Sequence, residues 1–212
     1  TGVEMAGAII ELGRASIRGE FNTLDPQDLR VVLIEGGERV LLNFDPELSD
    51  YTLKALRGMG VEVELGQMVN GIDAERVHFG DRQIETHTVI WAAGVAASPV
   101  AKWLGIDGDK AGRIKVAPDL SVPGLDGIYV IGDAAGITQA DGKPVPGVAP
   151  AAKQAGKHVA RVIQQKLAGT STKAFAYKHA GDLATIGKSA AVIDFGFAKV
   201  KGWPAWWLWG IA

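Results

Sequence analysis

Thr1-Gly2-Val3-Glu4-Met5-Ala6-Gly7 and, further on, Arg30-Val31-Val32-Leu33-Ile34-Glu35 are the two stretches that decide the fold. The first opens a helix predicted over residues 2–17. Val3, Ala6, Ile9, Ile10, Gly13 and Ile17 recur near the 3.6-residue period and share one face. The second is an unbroken apolar run ending in a carboxylate, the pattern of a parallel strand buried on both faces. A polar loop, 18–29, joins them. Asp45-Pro46 opens a second helix, with Asp45 as its cap and Pro46 in its first turn. Leu48, Tyr51, Ala55, Leu56 and Met59 form its apolar stripe, and Gly58 and Gly60 end it. Short strands are predicted at 61–65, 68–73, 77–79 and 84–86, with a Gly80-Asp81 turn between the last two. A buried strand is predicted at 88–92, closed by Gly94. Helix, strand, helix, small antiparallel insert and strand describe an open α/β sheet whose first strand is expected before Thr1.

The second half is looser. Residues 96–112 read as linker and surface, and strands are predicted at 114–116 and 128–131 around the turn-rich 118–127. A helix over 148–167 is entered by Pro150 and ended by Gly169. Two strands, 182–186 and 189–195, flank Gly187-Lys188. The expected division is 1–95, 96–200 and an aromatic tail, 201–212.

Composition narrows the chemistry. The 212 residues are 47% hydrophobic and 22% charged, which excludes disordered, collagen-like and coiled-coil classes. Glycine, at 28 residues, runs well above the usual frequency of about 7%, so many positions need a tight turn or a close backbone approach. With no cysteine, disulfides, thiolate zinc sites, iron–sulfur clusters and thiol redox chemistry are excluded within these residues. His78, His87, His158 and His179 lack metal-ligand spacing, so no metal is expected. Residues 1–95 carry 8 Lys+Arg against 16 Asp+Glu, while the remainder carries 14 against 8. That asymmetry points to two regions with different surroundings. No basic run is interleaved with aromatics, so no nucleic-acid partner is expected. No apolar run approaches the roughly 20 residues of a membrane span. The chain starts at Thr1 without an initiator Met and reads as a piece of a longer protein.

Three stretches carry chemical meaning. Gly2 has the position of the last glycine of a dinucleotide fingerprint, at a helix start where backbone N–H groups face a pyrophosphate. Glu35, 33 residues on, ends the next strand, where a carboxylate accepts hydrogen bonds from a ribose diol and repels a 2′-phosphate. The usual spacing is about 20 residues, and the long helix and polar loop absorb the excess. Glu4 in the first helical turn either complements the helix dipole or stands beside a reactive ring. Asp133, in Gly127-Ile128-Tyr129-Val130-Ile131-Gly132-Asp133-Ala134-Ala135, follows a short apolar run, as a sugar-alcohol acceptor or as a helix cap. In Gly147-Val148-Ala149-Pro150-Ala151-Ala152-Lys153-Gln154, small residues at a helix start leave N–H groups free for a ring acceptor, with Gln154 adding a side-chain contact. The other reading is an Ala-rich helix packed closely on a sheet.

These motifs together, with Trp91-Ala92-Ala93-Gly94 between them, resemble those of type II NADH:quinone oxidoreductases. Those enzymes belong to the pyridine nucleotide–disulfide reductases, Rossmann-like α/β flavoproteins with two dinucleotide-binding domains. The resemblance covers nearly the whole chain. It implies bound FAD, hydride transfer from NADH to the flavin, and reduction of a membrane quinone without proton pumping. It also implies that the FAD pyrophosphate fingerprint precedes Thr1, so that these residues alone do not turn over. By resemblance, Gly2 and Glu35 bind NADH, and Glu4 acts near nicotinamide and quinone. Ala93 and Gly94 lie where the two domains meet the cofactors, and Asp133 binds the FAD ribityl chain. Ala149, Pro150 and Gln154 lie near the flavin ring, and Lys188 contacts the flavin. The chain departs from the family signature at Pro150, where a Gln is usual.

Four of the six tryptophans, Trp203, Trp206, Trp207 and Trp209, crowd the tail near Lys199 and Lys201. Indoles favour the bilayer interface and lysines favour anionic headgroups. The resemblance implies a peripheral location on the cytoplasmic face of the cell membrane; the other reading of the tail is a packed cluster or homodimer contact. The His-x4-Glu element of lipoamide and glutathione reductases is missing, since Ala184 lies five residues after His179. Sulfide:quinone oxidoreductases usually carry cysteine here. A ferredoxin-reductase-like FAD enzyme and an NADH-binding regulatory flavoprotein remain as alternatives.

Overall fold

The computed structural model describes residues 1–211. In chain order the elements are α1 (Gly2–Glu20), β1 (Val31–Glu35), α2 (Pro46–Gly58), β2 (Val61–Leu65), β3 (Val69–Ile72), β4 (Arg76–Phe79), β5 (Arg82–Glu85), α3 (Val100–Trp103), β6 (Ile114–Lys115), β7 (Ala135–Gly136), α4 (Ala149–Leu167), β8 (Asp182–Ile186), β9 (Ala190–Asp194), β10 (Lys199–Gly202) and α5 (Trp203–Trp209). They form two compact units, residues 1–93 with 181–211, and residues 94–180. The expected division grouped 181–200 with the second stretch. In the structure these residues pack on the first, because the hairpin's apolar face finds its partner on α1.

The first unit is built on a β–α–β step. β1 and β2 pair in parallel from Val31 opposite Val61 to Glu35 opposite Leu65, with α2 as the crossover. The Asp45 carboxylate takes the Glu47 N–H at 2.9 Å, capping α2, and Pro46 sits in its first turn. The apolar run of β1 predicts burial on both faces. Instead each of its residues is only partly buried, because β2 is its single strand neighbour among the described residues. β2 alternates, with Val61 and Val63 inward and Glu62 and Glu64 forked by Arg30 and Arg82. β3, β4 and β5 form an antiparallel meander with a register irregularity between Val69 and Gly71.

The strand predicted at 88–92 does not form. Val89, Ile90 and Trp91 are exposed, and the stretch has no ladder partner among the described residues. An apolar run without a neighbouring strand leaves its N–H and C=O groups without a ladder, and a ladder is what makes a strand.

The antiparallel hairpin β8–β9, extended by β10, closes the core of the first unit. Val3, Ala6 and Ile10 of α1, Leu48 and Leu56 of α2, and Val61 and Val63 of β2 pack with Ala184, Ile186 and Val192 of the hairpin. The approach is close at Gly7, where an added Cβ would lie 2.9 Å from the Gly187 nitrogen. Gly187 itself has φ +67°, and a Cβ there would meet the Glu11 carboxylate at 2.7 Å. Glu11 in turn accepts the Lys188 N–H at 2.7 Å.

In the second unit the parallel partner of β6 is β7. The strand predicted at 128–131 reduces to a single antiparallel bridge between Tyr129 and Ser121. Leu120 at φ +67° and Gly127 at φ +74° break the ladder geometry on either side. A leucine in the left-handed region is strained, and its complete burial holds it there. Ile114, Leu120, Val130, Ala135, Ala155 and Phe175 form this unit's core.

Gly7 and Gly19 lie on the same helix in opposite surroundings, since nothing comes within 4 Å of a Cβ at Gly19. Gly7→Ala is expected to destabilise the chain by about 1–3 kcal/mol through overpacking. Gly19→Ala is expected to stabilise it by roughly 0.5–1 kcal/mol through helix propensity. Urea unfolding of the two variants measures both.

Candidate functional site

The first turn of α1 lies against the carboxyl-terminal half of β1. A Cβ on Gly2 would touch Leu33 Cδ1 at 3.5 Å and the Ala92 Cβ at 3.6 Å, ordinary packing distances. Helix packing therefore does not by itself demand glycine at position 2. The Thr1 side chain makes no capping hydrogen bond to α1, so the first N–H groups of the helix remain as donors. That suits an anion, with the helix dipole adding to the attraction.

Glu35 ends β1 at the same edge. Its Oε1 accepts the Gly37 N–H at 2.8 Å, which fixes the carboxylate and leaves its other oxygen as an acceptor. The turn behind it is tight: a Cβ on Gly36 would lie 2.5 Å from Met68 Sδ, and one on Gly37 2.7 Å from Leu42 Cδ1, both in exposed side chains that can move aside. Arg39, four residues past Glu35, is held within the same loop. Its guanidinium donates to the Phe44 carbonyl, the Ser49 hydroxyl and the Leu42 carbonyl at 2.7–2.8 Å. Free N–H donors at a helix start beside a strand-end carboxylate fit a dinucleotide with a ribose diol.

Glu4 stands on the first turn of α1, half-exposed, and its Oε1 faces the backbone N–H and hydroxyl of Thr185, each at 3.4 Å. Gly2, Glu4 and Glu35 thus share one unit, as does Lys188 in the β8–β9 turn. Ala93 is the last residue of that unit before the chain enters the second and Gly94 is the first beyond it; both are exposed, and Gly94 has φ +98°.

In the second unit Asp133 is exposed in the helical turn Gly132–Ala134, with Gly132 at φ +65°. Gly147 is close by, where a Cβ would lie 3.4 Å from Asp133 Oδ1. A Cβ on Gly132 would meet the Ala152 Cβ at 3.7 Å. Asp133 and the start of α4 are therefore neighbours. Val148 gives α4 no side-chain cap, Ala149 and Pro150 are exposed, and Pro150 contributes no N–H. An exposed carboxylate beside an uncapped helix start fits a polyol chain.

Gln154 is engaged at both ends of its amide. Nε2 donates to the Lys178 carbonyl at 2.9 Å and Oε1 accepts the Lys178 N–H at 3.0 Å. It clamps the extended segment after α4. One turn on, His158 packs edge-on against Phe175, ring centroids 5.4 Å apart, with Nε2 buried and unpartnered. Burial, then the nearby Arg161, holds the imidazole below its usual protonation range.

The expected headgroup lysines are paired within the chain. Lys199 meets Asp45 and Lys201 meets Glu47 in the first turn of α2. Hydrogen bonds donated by these lysines lower the pKa of both carboxyls, and the bond to Asp45 raises the pKa of Lys199. The contacts of Glu11, Thr185 and the two lysines carry no local sequence signal. Gly36-Gly37 directly after a strand was such a signal for the Glu35 turn.

The fold is of the mixed α/β, dinucleotide-binding kind. The chain belongs to the pyridine nucleotide-disulphide oxidoreductase family, which it matches over residues 1–156. FAD is the cofactor of that family. It is 36% identical to the type II NADH:quinone oxidoreductase Ndh of Mycobacterium tuberculosis, over 99% of this chain and 47% of that protein. To NdhA of the same organism, also a type II NADH:quinone oxidoreductase, it is 37% identical over 99% of this chain and 46% of that one. The chain thus spans about half the length of these relatives. In fold it matches the structure of NDH2 from Plasmodium falciparum in complex with NADH, with a TM-score of 0.83 at 18% identity, over all of this chain and 60% of that one.

Two outcomes are expected in the second unit. Gln154→Ala removes both clamp bonds, costing about 1–3 kcal/mol and raising protease cleavage in 170–180, read by limited proteolysis. His158 with a lowered pKa binds fewer protons folded than unfolded, so its stabilising contribution is complete above about pH 6.5 and is lost as pH falls below that. The unfolding midpoint is expected to drop between pH 7.5 and 5.5, and His158→Gln to flatten that drop.

Proposed function

We propose that this chain is the nucleotide-handling part of a type II NADH:quinone oxidoreductase. In that reading residues 1–93 with the C-terminal hairpin bind NADH, and residues 94–180 contribute to the FAD site. A bound flavin would supply the hydride and electron chemistry, linking reduced nicotinamide to a quinone acceptor without proton pumping. The protein's part is binding, orientation and exclusion of competing ligands.

The observation that carries the reading is the carboxylate of Glu35, fixed by the Gly37 N–H beside the uncapped start of α1. There it receives a ribose diol and repels a 2′-phosphate. Arg39 commits its fork to the loop's own carbonyls and Ser49 and so steadies the loop that follows Glu35. The first-turn N–H groups of α1, with Gly2 between them, hold the pyrophosphate. Glu4 holds or relays a proton at its carboxylate, at the nicotinamide and quinone end. In the second unit Asp133 accepts from the flavin's polyol chain. Ala149 and Pro150 offer a small, flat surface to the ring, and Gln154 fixes the segment behind it. Lys188 presents an ammonium from the hairpin turn toward the flavin, and Ala93 and Gly94 belong to the loop at the cofactors.

The membrane association in this reading rests on indoles. Trp203, Trp207 and Trp209 of α5 are exposed, while Trp206 packs near Ala205 and Ile193. The neighbouring lysines are held by Asp45 and Glu47, so adsorption at the cytoplasmic face would depend on aromatic insertion more than on charge. No helix among the described residues is long and apolar enough to cross a membrane.

Glu35→Ala is expected to raise the KM for NADH about tenfold, the loss of a charged hydrogen bond. It should also narrow the preference for NADH over NADPH. Steady-state kinetics with both nucleotides checks this, and an unchanged preference would remove Glu35 from the ribose site.

A further inference from the structure

α1 and β8 meet through two carboxylates, seven residues apart on the helix. Glu4 faces Thr185, with its Oε1 3.4 Å from both the Thr185 N–H nitrogen and the hydroxyl. Glu11 takes the Lys188 N–H at 2.7 Å. Along the hairpin the chain passes from the end of β8 at Thr185-Ile186 into the turn at Gly187-Lys188, while α1 advances about 10.5 Å from Glu4 to Glu11. The two segments therefore run in the same direction where they meet, and both contacts are made at once. Between them Gly7 and Gly187 allow the backbones to close, since a Cβ at Gly7 would fall 2.9 Å from the Gly187 nitrogen and one at Gly187 2.7 Å from the Glu11 carboxylate. The contact at Glu11 is the shorter of the two, 2.7 Å against 3.4 Å at Glu4.

We propose that Thr185 is a positioning residue for Glu4, brought to it by the Glu11–Lys188 contact, so that the C-terminal hairpin aims a carboxylate belonging to the nucleotide-binding helix. This rests on the reading of Glu4 given above. Both Thr185 donors converge on one oxygen, Oε1, and the other, Oε2, stays toward the Thr1 end of the helix. A carboxylate held by one oxygen keeps a fixed rotamer, while the second oxygen, 3.4 Å from the Thr1 amino group, takes no part in the Thr185 contact.

The test uses the full-length, flavin-loaded protein of which these residues are part, with NADH and a soluble quinone. Thr185→Val keeps the strand-favouring shape and the N–H but removes the hydroxyl. It is expected to lower kcat about threefold to tenfold with the KM for NADH unchanged, and Thr185→Ser is expected to restore kcat. A second measurement needs no turnover. In urea unfolding, the loss of midpoint caused by Thr185→Val should shrink when Glu4 is already Ala, as contact residues require. Additive losses in that cycle, or a Thr185→Ser variant no better than Thr185→Val, would overturn the positioning role. Normal kcat in Thr185→Val with reduced kcat in Glu4→Ala would overturn it too, and leave Glu4's own role standing. Normal kcat in Glu4→Ala would remove the reading of Glu4 and this proposal with it.

Discussion

The first unit depends on α1 being able to touch a sheet and a hairpin at the same time. Its Val3, Ala6 and Ile10 enter a core shared by β2, α2 and the β8–β9 hairpin. Its glycine at position 7 lets the hairpin turn come to backbone distance. A larger side chain there would push the hairpin outward, uncover Ile186 and Val192, and loosen the contacts made by Glu4 and Glu11. Small residues along one helix are thus a packing requirement first. The same helix then has its first N–H groups and an acidic side chain at the edge where Glu35 ends β1.

Polar side chains in this protein mostly hold backbone. Glu35 binds the turn that follows it, Arg39 ties the loop to α2, Gln154 fastens Lys178, and Glu11 fastens Lys188. Each satisfies main-chain groups in segments that lack a ladder. The dual use matters for the site. A carboxylate already oriented by its own turn loses little conformational freedom when a ligand arrives, so binding is less opposed by entropy. The alternation along β2 shows the same economy on a strand: valines inward, and glutamates outward to the forks of Arg30 and Arg82.

Much of the fold was legible in local pattern. The periodicity of 2–17, the Asp45-Pro46 start, the alternation of 61–65 and the Gly80-Asp81 turn correspond to α1, α2, β2 and the β4–β5 hairpin. These are short-range signals, set by helical period, capping chemistry and turn geometry. The failures were of one kind. Residues 88–92 and 128–131 have strand-like composition, yet a strand exists only with a neighbour, and neither run has a continuous one among the described residues. The placement of 181–200 on the first unit was likewise invisible, because the match between Gly7 and Gly187 spans 180 residues of sequence.

The sequence by itself determined which groups stand at strand ends, turns and helix starts. A strand-end Glu35, a glycine-opened helix with Glu4, Asp133 after Gly132, and the absence of cysteine follow from residue identity and local conformation alone. Only the tertiary structure decided what each of those groups is bound to. It turned Gln154 inward to Lys178, paired Lys199 and Lys201 with α2, and set Thr185 against Glu4. The physical reason is range: capping, periodicity and turn strain act over a few residues, whereas a hydrogen bond between distant segments exists only after packing has brought their backbones together.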